Sequence, residues 1–247
     1  MSKVALVTGA AQGLGFVISQ SLVDAGYCVV VSDINFDEAV KAAEQLDPSG
    51  DKAVALALNV MNKQDFVDAL AYTINRFGRC DVLVNNAAMT PTTAVMDITP
   101  EEFSQVLDIN LRGNFLGCQV FGQHFSNNGF GRIINLSSLA GQMGGTASGA
   151  HYASSKAGIV TLTKIFARQF ASTGVTVNAI APGPVDVPSV RDKVPAEKLE
   201  HIINNVIPVK AMSNPEFIGS MVIMLASKEA NTVTGATWDI NGGIYMR

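Results

Sequence analysis

Residues 3–33 read KVALVTGAAQGLGFVISQSLVDAGYCVVVSD. Lys3 to Thr8 is a short β-branched run that stops at Gly9, the pattern of a buried strand. Thr8-Gly-Ala-Ala-Gln-Gly-Leu-Gly15 follows, and then apolar residues at helical spacing up to Gly26. Strand, glycine turn and helix in this order let a backbone approach a pyrophosphate. The helix N-terminus adds N–H groups and positive potential. The glycine spacing is G-x-x-x-G-x-G rather than the general G-x-G-x-x-G, so Gly9, Gly13 and Gly15 are the candidate cradle.

The second strand, Tyr27 to Ser32, runs into Asp33, 18 residues past Gly15. That offset suits a carboxylate accepting hydrogen bonds from the diol of an adenosine ribose. A 2′-phosphate would meet a like charge there. No Lys or Arg stands in the glycine turn or directly after Asp33, where Ile34 and Asn35 follow. The expected cofactor is therefore NAD rather than NADP.

The pattern then repeats. Lys52–Leu58, Asp81–Val84, Gly131–Leu136, Val175–Ile180 and Ala236–Ile240 read as further strands, with a helix predicted over 62–77. This alternation predicts an α/β fold, one Rossmann-type doubly wound parallel sheet with helices on both faces, in a single domain spanning 1–247. Asn59-Val60, Asn85-Asn86-Ala87-Ala88, Ser137-Ser138, Pro182-Gly183 and Asn241-Gly-Gly all fall at C-terminal strand ends, the edge at which such sheets bind ligands. Thr99-Pro-Glu-Glu opens a long helical stretch, with Thr99 as N-cap. Inside it, Asn110 and Gly113 in DINLRGNF are locally unfavourable, and such exceptions mark sites.

Composition narrows the class. Hydrophobic residues make up 48% of 247 and charged residues 15%, so much helix surface must be covered. A net charge of −4 argues against nucleic acid or an anionic membrane as partner. The apolar runs are too short to span a membrane, and no signal-peptide pattern opens the sequence. Cys28, Cys80 and Cys118 have neither metal nor disulfide spacing, and His124 and His201 lack ligand partners. A cytoplasmic protein without a metal site is expected.

Ser138 to Lys156 reads SLAGQMGGTASGAHYASSK. If the segment from His151 onward is helical, Tyr152 and Lys156 share a face one turn apart. An ammonium beside a phenol favours the phenolate and draws its pKa below about 10. Such a tyrosine exchanges protons near neutrality, and a serine hydroxyl alongside can hold a carbonyl or alcohol oxygen.

TGAAQGLG, NNAA, the asparagine of DINLRGNF, the serine of INLSS, YASSK and APG occur in this order. Together they resemble the short-chain dehydrogenase/reductase family in its common short form, over residues 3 to 243. The resemblance implies an active site of Asn110, Ser138, Tyr152 and Lys156. Tyr152 would be the general acid/base and Ser138 would hold the substrate oxygen. Lys156 would bind the nicotinamide ribose, and Asn110 would hold a water in a relay through Lys156. It also implies a dinucleotide surrounded by Gly9, Gln12, Gly13, Leu14, Gly15, Asp33, Asn59, Val60, Asn86, Ala87, Ala88, Tyr152, Lys156, Pro182, Gly183 and Val185. NNAA departs from the usual NNAG, and Val187-Pro188 stand where a threonine is common.

Residues 186–212 are where such enzymes form a substrate lid. Arg191 and Lys193 are its basic exceptions and are expected on the surface, while His151, at a helix start beside the site, is expected behind it rather than against the substrate. The resemblance further implies a homotetramer, with helices near 100–125 and 152–172 at one interface. The expected activity is NAD-dependent interconversion of a small-molecule secondary alcohol and its ketone. The alternative is a 3-oxoacyl reductase or 3-hydroxyacyl dehydrogenase, which the ending INGGIYM resembles. Its carrier-protein form is disfavoured by Asp33 and by non-basic Asn128 and Thr173. A non-catalytic dinucleotide-binding regulator is a third reading. Members of that kind usually lose the tyrosine or lysine, and both are present here.

Overall fold

The alternating segments condense into one sheet. The computed structural model describes residues 2–145, 148–192 and 194–247. Among these, the strands are β1 Val4–Thr8, β2 Cys28–Asp33, β3 Ala53–Ala57, β4 Val82–Asn85, β5 Gly131–Leu136, β6 Val175–Pro182 and β7 Thr237–Ile240. Their order is β3-β2-β1-β4-β5-β6-β7, and every neighbouring pair is parallel. Helices α1 to α10 span Gly13–Asp24, Phe36–Leu46, Lys63–Phe77, Pro100–Leu107, Gly113–Asn128, Ala140–Met143, Ala150–Phe170, Pro188–Arg191, Ala196–His201 and Pro215–Ala226.

Both faces of the sheet are covered, which is why its strands read as unbroken apolar runs. Side chains alternate between two cores. Ala5, Val7, Val29 and Val31 meet Ile18 and Leu22 of α1, Ala39 and Ala43 of α2, and Ile218 and Val222 of α10. Leu6 and Val30 point the other way, toward Phe66 of α3, Phe121 and Phe125 of α5, and Phe166 and Phe170 of α7. Each fully buried side chain of this size stabilises the fold by about 1.5–3 kcal/mol.

The sheet order reverses beside β1. The chain runs outward to β3, then crosses back to place β4 on the other flank of β1. Loops leaving β1 and β4 therefore part, and the crevice between them is the ligand position of this architecture. The stretch around Asn110 is not regular α-helix. Asp108–Arg112 widen into a π turn between α4 and α5, the kind of bulge that often sits at functional sites. Gly113 closes it against Val60, whose Cβ would stand 3.0 Å from a Cβ there.

Candidate active site

The glycine turn is built for close backbone approach. Gly9 and Gly13 adopt φ +61° and +58°, in the left-handed region that favours glycine. A Cβ on Gly15 would collide with the Gly9 carbonyl and lie 2.5 Å from Asn86 Nδ2. Asn86 uses its amide to bridge the crevice, donating to the carbonyls of Thr8 at 3.0 Å and Gly9 at 2.9 Å. Ala87 packs beneath Gly9, and the Ala87 N–H donates to Thr8 Oγ1 at 3.0 Å. Asn35, Asn62, Thr99 and Asn214 cap α2, α3, α4 and α10. No side chain caps α1, which begins after Gln12. Its first-turn N–H groups and the positive end of its dipole fit a pyrophosphate.

Asp33 ends β2 beside this turn. Its carboxylate accepts from the N–H of Ala11 at 3.3 Å and of Asn35 at 3.1 Å. Ile34 next to it is 70% exposed. Asn59 folds over its own turn, its Oδ1 accepting from Met61 N at 3.1 Å, with Val60 against Gly113. On the far side of the crevice, the Pro182 carbonyl accepts from Leu139 N at 2.8 Å, Gly183 packs on Asn241, and Val185 bridges Ser213. Ala88 is exposed on the rim.

Tyr152 and Lys156 both lie in α7, one turn apart as expected. Ser138 sits just before α6, and its Oγ accepts from Ala140 N at 3.1 Å. Gly141 brings α6 against α7, since a Cβ there would be 2.6 Å from Ala157 N. This close approach delivers the Ser138 hydroxyl to the Tyr152 phenol, which is hydrogen-bonded by Ser138 and Thr90.

One electrostatic expectation is corrected. Burial raises the Tyr152 pKa, and the hydrogen bonds from Ser138 and Thr90 only partly oppose it. Lys156 does not lower it, for a visible reason. Its Nζ crosses the ring 5.5 Å from the centroid and donates to the Leu136 carbonyl at 2.7 Å. Lys156 is itself buried, which brings its pKa down to about 8.

Asn110 is 1% exposed and joins three elements. Its Oδ1 accepts from Met89 N at 2.8 Å, and its Nδ2 donates to Met89 O at 2.9 Å and Ser155 Oγ at 3.0 Å. One lone pair of Oδ1 is left to accept from a water.

A family model described as enoyl-(acyl carrier protein) reductase matches residues 9–245. The chain belongs to the short-chain dehydrogenase/reductase family. Among its relatives is a 3-oxoacyl-[acyl-carrier-protein] reductase of Staphylococcus epidermidis, 37% identical over 249 residues and covering 100% of both chains. An acetoacetyl-CoA reductase of Rhizobium meliloti is 39% identical over 246 residues, again covering 100% of both. A 3-oxoacyl-[acyl-carrier-protein] reductase of Vibrio cholerae is 36% identical over 244 residues, 99% of this chain and 98% of the relative. As a short-chain dehydrogenase/reductase, the protein is an oxidoreductase of CH–OH and keto groups that uses a nicotinamide cofactor.

Among the segments that follow β4 and precede α7 in this short-chain dehydrogenase/reductase lies a cavity of about 570 Å³, within the range of small-molecule sites. Its walls are Thr92, Thr93 and Val95 after β4, Ser148 and Gly149 before α7, and Val194, Pro195, Lys198 and Ile202 of the expected lid. Arg191 is exposed there and pairs with Asp186, Nε to Oδ1 at 2.5 Å. Lys193 lies outside the described residues. Sequence reasoning missed Thr90 and Thr93, whose one signal is their place just past the C-terminal end of a strand. It also gave Glu102 only a helix-start role, whereas the carboxylate meets buried His151. Among the described residues, no helix is long and apolar enough to cross a membrane.

Proposed function

We propose that this enzyme transfers a hydride between NAD(H) and a secondary alcohol or its ketone, with Tyr152 as general acid/base. The observation that carries the reading is the Tyr152 phenol, hydrogen-bonded by Ser138 and Thr90, with the amine of buried Lys156 over its ring. The nicotinamide supplies the hydride chemistry. Ser138 Oγ orients the substrate oxygen, and Tyr152 Oη gives that oxygen a proton or removes one. Lys156 holds the nicotinamide ribose, and Asn110 Oδ1 holds a relay water. The backbone around Gly9–Gly15 seats the pyrophosphate. Asp33, fixed by two N–H groups, takes the adenosine ribose and selects NAD.

A second reading is supported by the relatives' names: a 3-oxoacyl thioester as substrate, with acetoacetyl-CoA the plainest case. For a carrier protein, Asn128 and Thr173 stand together, because the Gly129 and Gly174 that follow them touch. Neither side chain offers a cation to an acidic partner. We also place the enzyme in the cytoplasm, supported by three free cysteines. A homotetramer is supported by exposed Phe103, Phe115 and Ile165 on α4, α5 and α7.

The test is a screen of secondary alcohols, hydroxylated aromatics, 3-hydroxyacyl thioesters and acetoacetyl-CoA, followed at the reduced-nicotinamide absorbance with NAD(H) and NADP(H). Turnover with NAD(H) is expected. A clear preference for NADP(H) would remove the assignment of Asp33.

A further inference from the structure

Side chains grip Tyr152 at both of its main-chain polar groups. Its N–H donates to His151 Nδ1 at 2.9 Å, and its carbonyl accepts from Ser155 Oγ at 2.7 Å. From each grip a hydrogen-bonded path leads to the loop after β4. On the carbonyl side, Ser155 Oγ accepts from Asn110 Nδ2, which also binds Met89. On the amide side, His151 Nε2 meets Glu102 Oε1 at 3.2 Å, and Thr93 Oγ1 donates to the same oxygen at 2.7 Å. Between them, Gly149 N donates to the Pro91 carbonyl at 3.1 Å.

The amide-side path is a built feature. His151 is completely buried in the first turn of α7, where helix N–H groups lack main-chain partners. The N-cap there is Gly149, with no side chain to offer. Nδ1 accepts an N–H, so the imidazole proton sits on Nε2, facing Glu102. Gly149 also makes the room, since a Cβ on it would collide with the imidazole ring. Glu102 is the third residue of α4, with its N–H on Thr99 Oγ1 at 3.2 Å. In a capping box its carboxylate would turn back to the Thr99 N–H. Here it reaches across to α7. The far end, Thr93, lines the cavity together with Thr92 and Val95.

We propose that Thr93, Glu102 and His151 are positioning residues through which a substrate seated on the loop after β4 sets the place of the Tyr152 phenol. This rests on the reading of Tyr152 as acid/base. The relay makes the rate of the chemical step, rather than substrate affinity, depend on a threonine at the cavity wall.

Hydrogen exchange on the full chain, without substrate, reads the Tyr152 amide directly in wild type, Thr93→Val, Glu102→Ala and Glu102→Gln. Thr93→Val removes one hydroxyl from a partly exposed loop and keeps the side-chain shape, so it tests the relay in a folded protein. Thr93→Val and Glu102→Ala are expected to speed exchange at Tyr152 about tenfold, the scale of one hydrogen bond. Glu102→Gln, which keeps Oε1 as acceptor, restores the wild-type rate. Amides in the C-terminal half of α7 stay unchanged. Unaltered exchange at Tyr152 in both variants, or a uniform rise along α7, overturns the relay.

Reduction of acetoacetyl-CoA by NADH supplies the kinetic arm. A lower kcat at steady KM supports the relay, and a change in KM alone overturns it. Tyr152→Phe separates the two ideas. If it is inactive while Thr93→Val and Glu102→Ala match wild type in exchange and kcat, the relay fails and the acid/base reading survives. If it is fully active, the acid/base reading fails whatever the exchange data show.

Discussion

Lys156 passes its amine across the face of Tyr152, 5.5 Å from the ring centroid, and delivers it to the carbonyl of Leu136 at 2.7 Å. The pair shares a helix face, yet the nitrogen is anchored to the strand end beneath the phenol rather than to its oxygen. Burial acts on both groups and pushes both toward their neutral forms.

Tyr152→Phe removes the proton-carrying oxygen and leaves the ring that packs over Lys156. Turnover should fall by about 10²- to 10⁴-fold, the usual contribution of general acid–base catalysis. NADH binding, followed by fluorescence titration, should be retained, because the cradle is built at the ends of β1, β2 and β4 and not on α7.

Lys156 ties stability to pH. Its folded pKa, about 8, lies below the ordinary lysine value of 10.5. Between these values the unfolded chain binds the extra proton, so this group makes stability rise with pH across that window. Below pH 8 its penalty is constant and complete. Thermal melts of wild type and Lys156→Met should therefore converge in the variant's disfavour as pH climbs from 8 toward 10.5. A pH-independent difference would contradict the buried amine.

Asp33→Ala with Ile34→Arg exchanges a carboxylate for a guanidinium at an exposed position where a 2′-phosphate would lie. The ratio of kcat/KM for NADP(H) over NAD(H) should rise by at least about tenfold. An unchanged ratio would mean that the ribose is bound elsewhere.

Gly15→Ala places a methyl group against the Gly9 carbonyl and Asn86 Nδ2, neither of which can retreat without opening the β1–β4 crevice. Overpacking of this kind costs about 1–3 kcal/mol. A lower melting temperature together with weakened NADH binding is expected, read by calorimetry and fluorescence titration.

The strand segments, the glycine turn and the doubly wound class were legible from residue order, because strand period, glycine placement and helix-start signals are local properties. The places of Asp33 at the end of β2, Ser138 just past β5, and Tyr152 and Lys156 one turn apart on a helix were legible because each stands at a fixed offset from such a signal. The π turn at Asp108–Arg112 showed only as an asparagine and a glycine out of place in a helix.

Local sequence determined which elements form and which polar groups reach the C-terminal edge of the sheet. Tertiary structure alone decided what those groups touch. Thr90 at the phenol, Glu102 on His151 and Lys156 on Leu136 are contacts between segments distant along the chain. Their distances follow from helix packing across the sheet, and the directions of the Tyr152 and Lys156 pKa shifts follow from burial, a property of the folded whole.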